Sequence, residues 1–231
     1  MQQYISEARS EVSYDEGLRK FMLQVYNYMT VALAISGVVS LGVYMSPAIM
    51  GAIWGTPFKW VVMFAPLVMS LGFMYMIDKI STGAATLFLF VFAAAMGLSL
   101  SSIFLVYKMG SIVQVFFISA ATFGAASLYG YTTKKDLTTM GSFFIMGALG
   151  LVIAGVINIF LQSSVFAFAI SFLAVIIFTG LTAYDTQNIK SQYDETGDDE
   201  REKVGVIGAL MLYMDFINIF VNLLQLIGDR K

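Results

Sequence analysis

The 231-residue chain is 58% hydrophobic and only 12% charged, with a net charge of −2, no cysteine and no histidine. Soluble domains carry about 25% charged residues, so this composition excludes an ordinary soluble protein and indicates a polytopic α-helical membrane protein. The missing cysteines exclude disulfides and thiolate chemistry, and the missing histidines remove the usual proton switch near neutral pH. The small negative charge argues against a nucleic-acid partner.

The N-terminal residues are rich in charge, unlike the basic-then-apolar pattern of a cleaved signal peptide. They predict a cytoplasmic tail over residues 1–20, followed by a single transmembrane domain over residues 21–231. The uncharged stretch Phe21–Phe58 is too long for one helix, because about 20 residues cross the bilayer. Breaks at Ser46-Pro47 and Gly55-Thr56-Pro57 divide it into one span and a connecting segment.

Six further spans are expected, which gives seven in all. Three uncharged stretches each fit one span: Trp60–Ile77, Ile80–Tyr107 and Met109–Thr133. The uncharged stretch Leu137–Tyr184 fits a hairpin of two spans that turns near Asn158–Ser164, where polar residues cluster. The seventh span is Val204–Gly228, which is apolar except for Asp215.

The segment Ser191–Lys203 contains six acidic residues and is predicted to be the one long internal loop. It lacks the alternating ligand spacing and central glycine of an EF-hand, so we interpret it as a solvated loop rather than a calcium site. Thr196-Gly197-Asp198 can turn and cap the entry to the last helix.

Small residues recur every four positions in two spans, where they predict close helix packing. One set is Ala93, Gly97 and Ser101 in the third span. The other, in the fourth span, pairs Ala120 with Gly124 and Ala121 with Ala125.

The distribution of lysine and arginine predicts the orientation, because these residues favour the cytoplasmic side. Nine lie on the side of the N-terminus: Arg9, Arg19, Lys20, Lys79, Lys134, Lys135, Lys190, Arg201 and Lys203. The other side has four: Lys59, Lys108, Arg230 and Lys231. The N-terminus is therefore expected in the cytoplasm and the C-terminus outside.

Asp215 is the costliest residue of the chain, since a charge in mid-helix costs at least ~2.5–3.5 kcal/mol on insertion scales. Asn218, Asn222 and Gln225 follow it on one helical face, which should point to the bundle interior or a wet cavity. The asparagines can serve either as hydrogen-bonding glue between helices or in function. For Asp215 a function is favoured, because an uncharged polar residue could form hydrogen bonds between helices at a lower free-energy cost of insertion.

Asp185 ends the predicted sixth span, with Thr182 one turn before it. Asp215 is 13 residues from Gly228, about 20 Å, which places it in the cytoplasmic third of a core of about 30 Å. The short connection between the two helices makes them neighbours, so the two carboxyl groups can meet. Two such groups cannot both ionise cheaply, and the pair is therefore the main candidate proton sensor.

Three runs of residues resemble the Bax inhibitor-like family of membrane proteins, in a bacterial version: Tyr129–Leu137, Thr179–Lys190 and Leu212–Leu224. The resemblance implies six helices around a central seventh, in a bacterial inner (plasma) membrane. It also implies a pH-sensitive calcium leak gated by paired aspartates, which by motif position are Asp185 and Asp215.

Some members of the family carry a basic latch near the end of the second span. The position corresponding to that latch here is Ile77, with Lys79 two residues further on. If a basic residue holds the aspartate pair in this chain, the resemblance therefore indicates Lys79.

The leading hypothesis is thus a passive cation leak with calcium as the permeant ion and no resident cofactor. Asp185 and Asp215 would form the gate and hold calcium transiently, and Asn218, Asn222 and Thr182 would line the ion pathway. The alternative is a non-transporting membrane regulator of a stress response or of a membrane-bound protease, which would bind its partner protein through the acidic segment Glu7–Glu16. An enzyme is not expected, because no nucleophile and base are suitably spaced.

Overall fold

Nine α-helices form in the part of the chain that the computed structural model describes. This part is the backbone of residues 2–76 and 79–231, with all its side chains except those of residues 2–14, 74, 198 and 199. In chain order the helices are α1 (Gln2–Met45), α2 (Pro47–Trp54), α3 (Phe58–Met76), α4 (Thr82–Leu100), α5 (Ile103–Val106), α6 (Met109–Thr132), α7 (Thr138–Leu161), α8 (Ser164–Glu195) and α9 (Asp198–Ile227).

The described residues include six segments long and apolar enough to cross a membrane, and a seventh if α2 and α3 together form one bent span. The axes of α2 and α3 differ in direction by 80°. Pro47 begins α2, and the predicted break at Gly55-Thr56-Pro57 separates it from α3. The chain is therefore an all-α polytopic membrane protein, as the composition and the uncharged stretches predicted.

The predicted hairpin near Asn158–Ser164 is confirmed. Gln162 ends α7 with φ of 50°, a left-handed conformation, and Ser163 caps α8 by accepting a hydrogen bond from the amide of Phe166 at 3.2 Å. The amide of Ser163 in turn donates to the side chain of Asn158 at 3.2 Å. The polar cluster in the sequence therefore supplies the hydrogen bonds that reverse the chain between two apolar helices.

Helix α9 is the buried centre of the bundle, as expected. Of its most apolar 18 residues 67% are buried, against 39% or less in the other five long spans. It packs against α1, α4, α6 and α8, while α3 packs on α4 and α7 packs on α8 at the outside. Tyr213 anchors this centre, since its hydroxyl lies 2.7 Å from that of Ser36, which donates to the carbonyl of Ala93 at 2.7 Å.

The prediction of a long loop at Ser191–Lys203 is wrong. Helix α8 continues to Glu195 and α9 begins at Asp198, so only two residues connect them. The extension is amphipathic, because Ile189 and Tyr193 are four residues apart and both buried, and the ring of Tyr193 lies 5.6 Å from that of Phe21. The charged residues cover only the solvent side of this continuation.

The prediction that Asp185 ends its helix is wrong for the same reason, since α8 runs ten residues beyond it. Helix α1 is likewise longer than the uncharged stretch that begins at Phe21, and most of the predicted tail 1–20 is helical.

The two sets of small residues have different outcomes. The set in α4 is confirmed: a Cβ on Gly97 would lie 2.7 Å from the carbonyl oxygen of Ser36, so only glycine allows α1 this close. The prediction of close packing along the set in α6 is wrong, because Gly124 and Ala125 are exposed. The tight contact of α6 is made instead by Gly130, where a Cβ would clash with the carbonyl group of Ala183 on α8.

Candidate functional site

The hairpin of α8 and α9 brings Asp185 and Asp215 together. A Cβ on Gly208 would lie 2.9 Å from the side chain of Ile189, so this glycine allows the two helices to approach closely. The side chains of Asp185 and Asp215 are 7% and 4% exposed and hydrogen-bond to each other. Because an ionised carboxylate only accepts hydrogen bonds, a bond between the two groups can form only while they share one proton.

Asp215 contacts one further polar side chain, and one of its oxygen atoms has no hydrogen-bond partner among the described residues. Its side chain also contacts the hydroxyl of Thr182, which is fully buried and donates to the carbonyl of Phe178 at 2.8 Å. Its Oδ2 atom is buried and has no hydrogen-bond partner among the described residues. Such an atom is rare in folded proteins and indicates a place where water or a cation can bind.

The charged surroundings of the pair are sparse in the described part of the chain. The charged group that acts on the Asp215 carboxyl is Asp185. Lys190, the next basic residue along α8, donates to the carbonyl of Tyr131 at 3.1 Å. Ile77, the position of the predicted latch, lies outside the described residues. Lys79 is exposed, and its ammonium group lies 4.7 Å from the centre of the Tyr75 ring.

Behind the pair, hydroxyl groups connect three helices in a network that the sequence did not reveal. Thr186 donates to the carbonyl of Thr182 at 2.7 Å, so it accepts from Ser127, whose Oγ lies 2.9 Å away. Ser127 in turn accepts from the hydroxyl of Tyr26 on α1 at 2.6 Å. The signal available in the sequence was Thr182 and Thr186 at a spacing of four, next to Asp185. The network holds α8 against α6 and α1 at the level of the pair.

In front of the pair lies a cavity of about 580 Å³ among α3, α4, α7, α8 and α9. Among the described residues of its lining, Asp185 is the only charged one, and Asn218 and Tyr184 are among the few polar ones. The rest is mainly methionine, leucine and other apolar side chains. The cavity thus connects the carboxyl pair with the outer surface of the bundle.

The asparagines predicted to form a polar stripe are half-buried. Asn218 donates to the carbonyl of Met214 and Asn222 to that of Asn218, each at 2.8 Å and one turn back on the same helix. One amide hydrogen of each asparagine therefore bonds within α9. Asn218 reaches the cavity, which leaves its side-chain oxygen able to meet a ligand there.

The two aspartates are the acidic ligands that the described residues place at this site. Among the described residues there is no group of three or more aspartates or glutamates that could hold one. Calcium takes 6–8 oxygen ligands, and two carboxyl groups with the Thr182 and Asn218 oxygens supply only part of that set.

Comparisons with known proteins point to one family. The family model described as "Inhibitor of apoptosis-promoting Bax1" matches residues 18–231. RP147, an uncharacterized protein of Rickettsia prowazekii, is 44% identical, with 95% of this chain and 93% of the relative covered. The inner membrane protein YbhL of Escherichia coli K12 is 40% identical, with 93% of this chain and 94% of the relative covered.

Proposed function

The chain belongs to the Bax inhibitor-like family of membrane proteins, and from that premise we propose that it is a pH-sensitive cation leak with calcium as its permeant ion. Asp185 and Asp215 form the gate in this proposal. The observation that carries it is the direct contact of two buried carboxyl groups inside a bundle of membrane helices. Ionisable groups at such depth are costly and mark ion or proton pathways in membrane proteins.

The contact gives the gate two states. With one shared proton, the hydrogen bond between the carboxyl groups holds α8 and α9 together and closes the path. When the proton leaves, two like charges repel each other in a low-dielectric interior, and they separate or take up a cation. Flux is therefore expected to rise as the pH increases through the titration of the pair. Thr182 and Asn218 supply further oxygens along the path.

The direct test is calcium flux into proteoliposomes of the purified chain over a pH series. Asp185→Asn and Asp215→Asn should each abolish the pH dependence, since a single remaining carboxyl has no partner with which to share a proton. Asp15→Asn is the matched control, because this aspartate is exposed on α1. An unchanged pH profile in both site variants would refute the gate, and no flux in the unmodified chain would refute the leak.

The proposed location is a bacterial inner membrane, with the N-terminus in the cytoplasm and the C-terminus outside. The name of the relative YbhL supports the membrane, and the excess of basic residues on one side supports the orientation. Reporter fusions at the two termini test the orientation, since a reporter active only outside the cytoplasm should work at Lys231 and not at Met1.

The second candidate, a non-transporting regulator, is favoured by the length of α1. This helix begins at Gln2, although the uncharged stretch of the sequence begins only at Phe21, so its first turns precede the apolar part and are available to a partner protein. The side chains of most of the proposed contact segment, Glu7–Glu16, lie outside the described residues. Removing residues 1–16 should abolish a regulatory effect in cells and leave calcium flux intact.

A further inference from the structure

The cavity in front of the carboxyl pair opens sideways, between α3 and α7. These two helices pack on α4 and α8 and flank the opening. Its rim is formed by side chains that are about half exposed: Met63 and Leu67 on α3, and Leu149 and Val152 on α7. A molecule dissolved in the hydrocarbon of the bilayer can therefore enter the cavity without crossing the aqueous phase.

The lining of the cavity defines the chemistry of an occupant. Its volume of about 580 Å³ lies within the range of about 300–1,000 Å³ typical of small-molecule sites. The walls are apolar, and the single charged residue, Asp185, is buried against Asp215. This combination matches a molecule with an apolar body and one positive charge.

Two other kinds of occupant match less well. A phospholipid brings a phosphate group, and the described residues of the lining include no lysine or arginine to pair with it. A neutral hydrocarbon would pack against the apolar walls but leave the carboxylate without a counter-ion, and a buried unpaired charge costs free energy. The hydrogen-bonded pair carries one net negative charge after sharing a proton, so one monovalent cation neutralises it.

We propose that this cavity binds a hydrophobic monoamine, whose ammonium group pairs with Asp185 while its apolar body lies between α3 and α7. The three hydrogens of a primary ammonium can reach the carboxylate of Asp185 and the side-chain oxygen of Asn218, which both line the cavity. A bound amine occupies the place that a passing cation would need. The block of flux rests on the proposed function, whereas the binding itself does not.

Binding is tested by calorimetry on the full chain in phosphatidylcholine nanodiscs, with empty nanodiscs as the blank for partition into lipid. The probe is 4-phenylbutylamine, and its neutral match is 4-phenylbutan-1-ol. A charge-assisted contact predicts roughly tenfold tighter binding of the amine. Equal binding of the two compounds overturns the proposal.

Four variants locate the bound amine. Asp185→Asn should remove the preference for the amine, and Ala148→Phe should block binding by filling the cavity from α7. Asp15→Asn and Gly150→Phe are the controls, because Asp15 is exposed on α1 and a side chain at Gly150 on α7 meets open space. Unchanged amine binding in both site variants would place the amine elsewhere and overturn the assignment.

Two further measurements separate the remaining outcomes. If phosphatidylethanolamine in the nanodiscs displaces the amine, the occupant is a lipid and the proposal is wrong. In proteoliposomes, the amine and not the alcohol should lower calcium flux. Absence of flux without amine would refute the proposed leak and leave the calorimetric result standing, so the failures of the two proposals can be told apart.

Discussion

The hydroxyl network behind the carboxyl pair can be broken by one substitution that conserves shape, Thr186→Val. Thr186 is fully buried and makes two hydrogen bonds, one to the carbonyl of Thr182 at 2.7 Å and one from Ser127 at 2.9 Å. Valine keeps the branched shape and loses both bonds. The hydroxyl of Ser127 then has a proton without an acceptor, while it still accepts from Tyr26.

The expected loss of stability follows from the value of such bonds in membranes. Hydrogen bonds between membrane helices contribute about 0.6 kcal/mol on average and at most about 1.7 kcal/mol, so the loss of the bond from Ser127 on α6 predicts a decrease of about 0.6–1.7 kcal/mol in the free energy of unfolding. Unfolding in mixed detergent and dodecyl sulfate micelles, followed by circular dichroism, measures it.

The matched control is Thr122→Val on α6, since Thr122 bonds only to the carbonyl of Ile118 on its own helix, at 2.9 Å. It should change stability by less than about 0.5 kcal/mol. A double-mutant cycle of Thr186→Val with Tyr26→Phe adds a second check. Their effects should not be additive, because Ser127 connects the two hydroxyl groups. A Thr186→Val chain as stable as the original, or strict additivity in the cycle, would show that the network does not hold α8 in place.

Gly97→Val should destabilise the chain by about 1–3 kcal/mol, because its Cβ would lie 2.7 Å from the carbonyl oxygen of Ser36. Thermal unfolding in detergent measures this, and Gly72→Val, where a side chain meets open space, is the control that should differ little. The pKa of Asp136, between α6 and α7, is lowered by hydrogen bonds from the side chain and then the backbone of Thr138. A lowered pKa in the folded state stabilises the fold above the ordinary value near 4 and loses this effect as the pH falls. The difference in melting temperature between Asp136→Ala and the original chain should therefore narrow between pH 6 and about pH 3, and a constant difference would contradict the reasoning.

The length of each uncharged stretch predicted the membrane helices well, because crossing hydrocarbon requires apolar side chains on every face. The same measure failed where a helix leaves the membrane. Helix α8 continues past Asp185 to Glu195 because only one face, with Ile189 and Tyr193, remains buried while the other is in water. Charged residues in the sequence mark where a helix passes from lipid into water, and they do not mark where the helix ends.

The contact between Asp185 and Asp215 could be predicted, because burying a carboxyl group costs free energy unless a polar partner is near, and the sequence offers few such partners. The contacts around the pair could not be predicted from the sequence. Whether a stripe of small residues is packed or exposed depends on which neighbour it meets, and Gly97 meets α1 while Gly124 is exposed. The cavity between α3 and α7 is likewise a property of their relative placement, which no single helix encodes.

The hairpin explains how the most buried helix can carry an acid. Only two residues connect α8 to α9, so the helices are antiparallel neighbours, and Gly208 lets them pack closely against Ile189. This packing sets Thr182 and Asp185 beside Asp215, and each contact offsets part of the cost of burying a carboxyl group. The compensation is incomplete, because one oxygen of Asp215 has no partner among the described residues. In the proposed gate, this oxygen of Asp215 is the atom that a passing cation would bind.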